Sequence, residues 1–384
     1  MRWKRQVLAA VVVGLLGSAA HAQKVKHKAH WQFDLRRLGF RNPGHFPFGF
    51  NDPGSTPFLT FSRNWVAVSF DALSKPTRAN PVPDFLIVLA VFDAVSGRLW
   101  RRVAIFPYCG GLPSISVAAT AEGNLLYLEN CPIQNARSRV VGWATRLLLL
   151  TPNLRVIRKI DMPSSGADNF WYMNVSATGR SLLLTRDAGA PIQHDQLLDP
   201  DTLALRKEWS DNVSIEGITD TYALGAPPFS PAHPGPPPAL ICPFNGHWTP
   251  VPGLRGYFAP LGSSELLGLG RTPLSFAVAT VGGQRVSGSR LSVRRGKLSV
   301  QFWKAAVSAD GKRFALPLLV EPQHWYQTQR QFVFVYDPPS TSPVFRLEVH
   351  KVVWSVFSPA LSPDGKLLAV ISGARLKVYA LPAR

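Results

Sequence analysis

Four apolar runs of this chain close on an acid. Asp71, Glu129, Asp187 and Glu321 each follow a short hydrophobic segment, and aromatic residues lie near them in the chain: Tyr108, Trp171 and Tyr172 with Asp168 beside them, and Trp325 with Tyr326. Carboxylates next to exposed aromatic rings suit a sugar or a cation. A pair of such acids could also act as general acid and base, or hold Ca²⁺. The structural alternative is that the acids pair with Arg78, Arg137 and Arg186 while the rings pack beneath loops. The acids stand at different offsets from the turns before them, so a matched ring does not follow from the spacing.

Other chemistry has no support in the residue pattern. The chain contains no G-x-S-x-G, H-E-x-x-H, P-loop or paired C-x-x-C sequence. Its 9 His residues are scattered, and neither His27/His30 nor His194-Asp195 has ligand-like company, so no metal centre is expected. Asn174-Val-Ser and Asn212-Val-Ser match the glycosylation acceptor pattern and are read as chance. Pro227–Pro238 reads as a stiff polyproline-like loop.

The elements that must carry these residues are short strands between turns. Ser358–Leu381 shows the unit: Pro363-Asp-Gly365 is turn chemistry, Leu367–Ile371 is an apolar strand, and Leu376, Val378 and Ala380 alternate with their neighbours. Two short strands cannot bury a face alone, so the unit must recur. Gly123, Gly179, Ser264, Gly311 and Gly365 mark the recurrence. Four-stranded repeats of about fifty residues are the signature of a β-propeller. Seven units are expected over 57–384, with six or eight as the alternatives, the sixth opening on a strand at Gln301–Val307 and the seventh on one at Val352–Val356. The seventh then lacks a fourth strand. His30–Arg36 alternates strictly and stands apart from the units behind a Gly/Pro-rich linker at 41–57, so it is expected to pair with Ala374–Ala380 and close the ring.

Ser362-Pro-Asp-Gly-Lys366 and Ser308-Ala-Asp-Gly-Lys312 resemble the S-P-D-G-K repeats of WD40-like and TolB/lactonase-like bacterial propellers, and Val91–Leu99 is similar to their strand–D-x-x-x-G–strand hairpin. The resemblance covers most of the chain but rests on turns. It implies a scaffold, not an activity, and no catalytic residue is carried over.

In such a scaffold the strands of a blade, a to d from the axis outwards, are antiparallel. The a–b and c–d turns therefore emerge on one face and the b–c and d–a connections on the other. The b–c connections are the long ones: Ala72–Pro83, Asn130–Arg139, Asp187–Ile192, Ala226–Pro238 and Glu321–Arg330. The acids and aromatics of the opening paragraph fall on that face, which is the expected ligand face.

The N-terminus reads as an export signal over 1–22: Arg2, Lys4 and Arg5, an apolar Val7–Leu16, then Ala20-His-Ala22. The run is too short to span a membrane. The expected product is a monomeric periplasmic or extracellular protein without a cofactor. The formal charge is +19, about +16 once 1–22 is removed. Such a surface favours a protein or an anionic glycan or envelope partner; nucleic acid is not expected. Of the 3 cysteines, Cys109 and Cys131 fall on the same face of adjacent chain layers and are expected to form a disulfide, leaving Cys242 free and buried; the competing reading is three buried thiols.

Overall fold

The structure, a computed structural model, describes residues 27–38, 58–73, 85–105, 114–136, 139–166, 171–186, 194–210, 213–227, 237–255, 258–271, 274–291, 297–300, 305–321, 330–349, 359–372 and 374–384. Strand β1 (Trp31–Asp34) comes first, followed by a 3-10 turn at Leu35–Leu38. Blade 1 is β2 (Phe58–Phe61), β3 (Trp65–Leu73), β4 (Phe85–Asp93) and β5 (Leu99–Ile105). Blade 2 is β6 (Ser114–Ala119), β7 (Leu125–Gln134), β8 (Val140–Leu150) and β9 (Val156–Gly166). Blade 3 is β10 (Trp171–Val175), β11 (Leu182–Arg186), β12 (His194–Leu198) and β13 (Leu205–Trp209). Blade 4 is β14 (Ser214–Ile218), β15 (Tyr222–Ala226), β16 (Pro238–Pro243) and β17 (Thr249–Arg255). Blade 5 is β18 (Phe258–Leu261), β19 (Glu265–Arg271), β20 (Leu274–Thr280) and β21 (Arg285–Arg290). Blade 6 is β22 (Lys297–Val300), β23 (Ala306–Val307), β24 (Phe314–Glu321), β25 (Arg330–Tyr336) and β26 (Phe345–Val349). Blade 7 is β27 (Ala360–Leu361), β28 (Leu367–Ser372) and β29 (Arg375–Ala380), with β1 as its outermost strand. This is a seven-bladed β-propeller.

The ring closes as the alternation at the N-terminus requires. β1 pairs antiparallel with β29, Trp31 opposite Val378 and Phe33 opposite Leu376. The Trp31 indole N–H donates to the Ala94 carbonyl of blade 1 at 2.9 Å, and its ring packs where a Cβ on Gly97 would stand, 2.6 Å away. Gly97 has φ +72° in the c–d turn, so both its backbone and its missing side chain serve this contact. The first strand of the chain thus ties the last blade to the first.

Each blade buries both faces against its neighbours, so inner strands read as continuous apolar runs rather than alternations. On β3, Val66, Val68 and Phe70 face blade 7, while Trp65 and Ala67 face blade 2. Seven apolar clusters fill the seven gaps between blades.

The turns are built as the S-x-D-G pattern requires. The Ser362 hydroxyl donates to Asp364 at 2.7 Å and accepts from the Leu367 N–H at 2.8 Å, while Gly365 takes φ +68°. Ser308, Asp310 and Gly311 repeat this in blade 6, with the Ser308 hydroxyl 2.7 Å from Asp310. Ser176-Ala-Thr-Gly179 does so with Thr178 in the place of the acid.

Three expected elements differ. In blade 6, β22 and β23 both pair with β24 in place of one strand over Gln301–Val307. In blade 7 the innermost strand is Ala360–Leu361, and Val352–Val356 lies outside the described residues. In blade 2, β7 continues through Gln134, so much of the expected loop Asn130–Arg139 is strand. Its run past Asn130 lacks the Gly and Asp signals of a turn, and the 11-residue β8 pairs along it.

Candidate central channel

The innermost strands of the seven blades stand around a central channel. Its wall is drawn from β2, β6, β10, β14, β18, β23 and β27 and from the a–b turns beyond them, and it encloses about 580 Å³. An innermost strand has a hydrogen-bonding neighbour on one side only, so the channel receives its unpaired backbone groups along with its side chains. The wall is mostly small: Ala118, Ala119, Val175, Gly217, Ala259 and Ala306 among others.

Charge on this wall is one-sided. In a chain of 42 Lys and Arg against 23 Asp and Glu, the lining contains, among the described residues, Glu216, Asp220 and Asp310 and no Lys, Arg or His. Two of these acids have local duties. Asp220 accepts from the hydroxyls of Ser176 and Thr178 at 2.7 Å, which joins the turn of blade 4 to that of blade 3. Burial alone would push the Asp310 carboxyl up, but the Ser308 hydroxyl, the Lys312 N–H and the Arg384 guanidinium hold it below its usual value. Arg384 reaches it at 2.6 Å.

Glu216 is different. The register of β14 slips between Ile215 and Gly217, so Glu216 is the extra residue of a β-bulge. Glu216 lines the channel at this bulge, and its carboxyl accepts from the Phe258 N–H of blade 5. Burial pushes its pKa up to about 7, more than the one hydrogen bond offsets. Gly217 beside it lets the two blades close up, since a Cβ there would stand 2.6 Å from Pro260 Cδ. Sequence reading missed Glu216. The available signal was an acid at the third position of a five-residue inner strand, followed by glycine.

The residues expected on the b–c face are placed as follows. Glu129 is fully buried, and Arg146 grips it with Nη2 at 2.6 Å and Nε at 2.7 Å. Burial pushes its carboxyl up despite that cation. Trp171 is buried between blades 2 and 3, and Tyr172 next to it is exposed. This pair follows strand alternation, one ring in the core and one outside. Asp71 stands opposite Ile87 near the outer end of β3, and Glu321 opposite Lys297 at the end of β24. Asp168, Asp187, Trp325 and Tyr326 lie outside the described residues. Glu129 and Trp171 are therefore interior groups, and Tyr172 is the expected aromatic whose ring reaches solvent among those described. Cys242 is free and buried, as expected; Cys109, one half of the expected disulfide, lies outside the described residues. Among the described residues no group of His, Cys, Asp and Glu is arranged to hold a metal, and no helix is long and apolar enough to cross a membrane.

No family model and no curated protein matches the chain. Among solved structures, it is similar to an uncharacterised protein of Listeria monocytogenes: 11% identity, 86% of this chain and 95% of that one, TM-score 0.46. It is also similar to the Dos1 propeller, with 10% identity over 92% of this chain and 95% of that one and a TM-score of 0.44. Prolyl oligopeptidase B from Galerina marginata matches with 11% identity and a TM-score of 0.45 over 82% of this chain but 44% of that one. The fold assignment rests on the strand pairings, not on these likenesses.

Proposed function

We propose that this chain is an exported, monomeric, non-catalytic binding propeller whose ligand enters the channel from the face of the b–c connections. The observation that carries the reading is the channel wall, which among the described residues is acidic and free of basic side chains in a chain that is otherwise strongly basic. Such a wall suits a polyhydroxylated or cationic small molecule and rejects an anion. The connections at 74–84, 187–193, 227–237 and 322–329 are longer than the a–b turns, which span three residues at 62–64 and 219–221. The long-loop end is therefore the entrance that can be shaped for one ligand.

A second reading has one observation in its favour. A carboxyl with a pKa near 7 in a cavity is matched to general acid or base work at neutral pH. On that reading Glu216 would serve a lyase, lactonase or glycosidase.

A thermal-shift screen of the chain from residue 23 separates them, with glucose, galactose, choline and spermidine as ligands and Glu216→Gln as the paired variant. A shift that one of these compounds gives in the parent and not in the variant supports binding in the channel. Turnover of a chromogenic glycoside or a lactone, lost in Glu216→Gln, replaces binding with catalysis. No shift and no turnover removes the channel from both readings.

A further inference from the structure

Five of the described outer strands carry a basic residue at one height, beside the c–d turn, while Arg255 and Arg290 stand at the far ends of β17 and β21. In blade 1, Arg101 stands opposite Val91, two residues from the end of strand c. In blade 2, Arg158 stands opposite Leu149, one residue from the end. Lys207 of blade 3 is opposite Leu197, again one from the end. Arg285 of blade 5 is opposite Ala279, and Arg346 of blade 6 opposite Phe334, one and two residues from the end. Each position therefore lies beside its c–d turn, at the same level of the ring. Blades 1 to 3 double the charge with a neighbour in sequence: Arg102, Lys159 and Arg206.

Acids on these strands stand deeper. Asp161 is opposite Arg146, Glu208 opposite Gln196 and Glu348 opposite Phe332, each further from the turn than the cation of its own blade. Blade 4 places Thr249 opposite Ile241, and blade 7 presents Trp31–Asp34, so the band is interrupted at both. Its long arc is blades 1 to 3.

Charge on an outermost strand has a plain use, since it blocks edge-to-edge pairing. Either sign would serve that end. One sign at one height, on blade after blade, calls for a partner of opposite charge. Arg101, Arg102, Arg158 and Lys159 are all exposed. Lys159 reaches Asp161 at 2.8 Å, where both side chains are about half or more in solvent, so that pair holds the cation weakly.

We propose that this outer band, centred on blades 1 to 3, binds a flexible anionic polysaccharide laid along the rim. The shape of the band selects that partner. Its exposed cations stand on successive blades of a ring, so a flat membrane touches one or two blades at a time; Lys207 instead donates to the Phe244 carbonyl of blade 4 at 2.8 Å. Duplex DNA, with a persistence length of about 150 base pairs, resists following so tight a curve. Bound single strands stack on aromatic rings. Among the described residues, the exposed large apolar ones on these outer strands are Val103, Val156, Ile157, Leu205 and Val286, all aliphatic. The band is independent of the channel and adds a polymer partner to the binding role proposed above; it rests on that reading only for the export that would bring the protein to a glycan.

The test uses the chain from residue 23 and fluorescein-labelled heparin oligosaccharide, by anisotropy, from about 50 to 300 mM salt. Binding should weaken linearly in log salt. Arg101→Ser/Arg158→Ser/Arg285→Ser should lose about tenfold or more in affinity and show a shallower salt slope. Arg37→Ser/Arg139→Ser/Arg375→Ser removes the same charge on the opposite face of the ring and should lose no more than about twofold. Arg101→Lys/Arg158→Lys/Arg285→Lys keeps the charge and should stay within about threefold of the parent, which covers the case of a serine variant that folds poorly. Equal losses in the two serine triples would reduce the effect to net charge and overturn the proposal. So would binding to phosphatidylglycerol vesicles without heparin binding, or tighter binding to duplex DNA than to heparin. Glu216→Gln should leave heparin binding unchanged, which separates a failure here from a failure of the channel reading.

Discussion

The side-chain amide of Asn130 holds the main chain of Trp171 by both of its polar groups. Its Nδ2 donates to the Trp171 carbonyl at 2.8 Å, and its Oδ1 accepts from the Trp171 N–H at 3.0 Å. The Thr145 hydroxyl completes the set, donating to the same oxygen at 2.7 Å. Asn130 is on the second strand of blade 2 and Trp171 begins the first strand of blade 3, so one buried amide stands in for a strand edge between two blades. Removing it leaves a buried N–H and C=O without partners.

Asn130→Ala should therefore cost about 2 to 4 kcal/mol, the desolvation of two orphaned backbone groups together with the lost packing. Asn130→Asp keeps the acceptor and loses the donor, and places a charge in the interior, so it should be no milder. The melting temperature of each variant measures this. A change within error in Asn130→Ala would show that the gap between blades 2 and 3 stands without the amide.

Ring closure is a second place to test. Strand β1 supplies the outer strand of blade 7 and the Trp31 indole that reaches Ala94. Deletion of 23–36 leaves β29 an open edge and uncovers the cluster of Phe92, Leu376 and Val378. The melting temperature should fall sharply and the protein should associate on storage. Trp31→Ala, which keeps the backbone pairing, should show a smaller loss of about 3 kcal/mol.

The ring was legible in the sequence because its evidence is repeated and local. The Ser-x-Asp-Gly turns specify their own hydrogen bonds, and the orphan alternation at Trp31–Asp34 has one vacant place to go. The site was less legible because an acid at a strand end does not declare its direction. Glu129 falls on the apolar face shared with Tyr127, and Arg146, opposite it on the next strand, neutralises it there. Glu216 was hidden for the opposite reason: it lines the channel at a bulge, and a one-residue register slip leaves almost no mark in so short a strand.

Glu216 should govern part of the pH dependence of stability. Its pKa is about 7 in the folded protein, above its ordinary 4.5. The folded state therefore holds this proton more tightly than the unfolded chain. The stability it contributes is complete below about pH 4.5 and is lost as pH rises through about 7. Glu216→Gln has no charge to desolvate, so at pH 8 it should be more stable than the parent by on the order of 1 to 3 kcal/mol, and near pH 4 about equal to it. Denaturant midpoints at pH 4, 6 and 8 check this. A constant difference across the three would assign the effect to packing rather than to the carboxyl.

The cysteines give the last test. Cys131 sits on β7 with no exposed surface, and its Sγ is 3.6 Å from Glu129 Oε1. Cys109 lies between the end of β5 and the start of β6. Cys131 lies in the half of β7 that runs toward the face of the b–c connections. Cys242 is on β16, in the gap between blades 3 and 4, free and buried. We propose the bridge Cys109–Cys131, formed after export. Closing a loop of about twenty residues would stabilise by roughly 3 kcal/mol in the chain-entropy model. Cys109→Ser should lower the melting temperature in the oxidised protein and leave it unchanged relative to a parent kept in reductant. Thiol titration of the denatured, unreduced chain decides the matter directly: one thiol agrees with the bridge, and three exclude it.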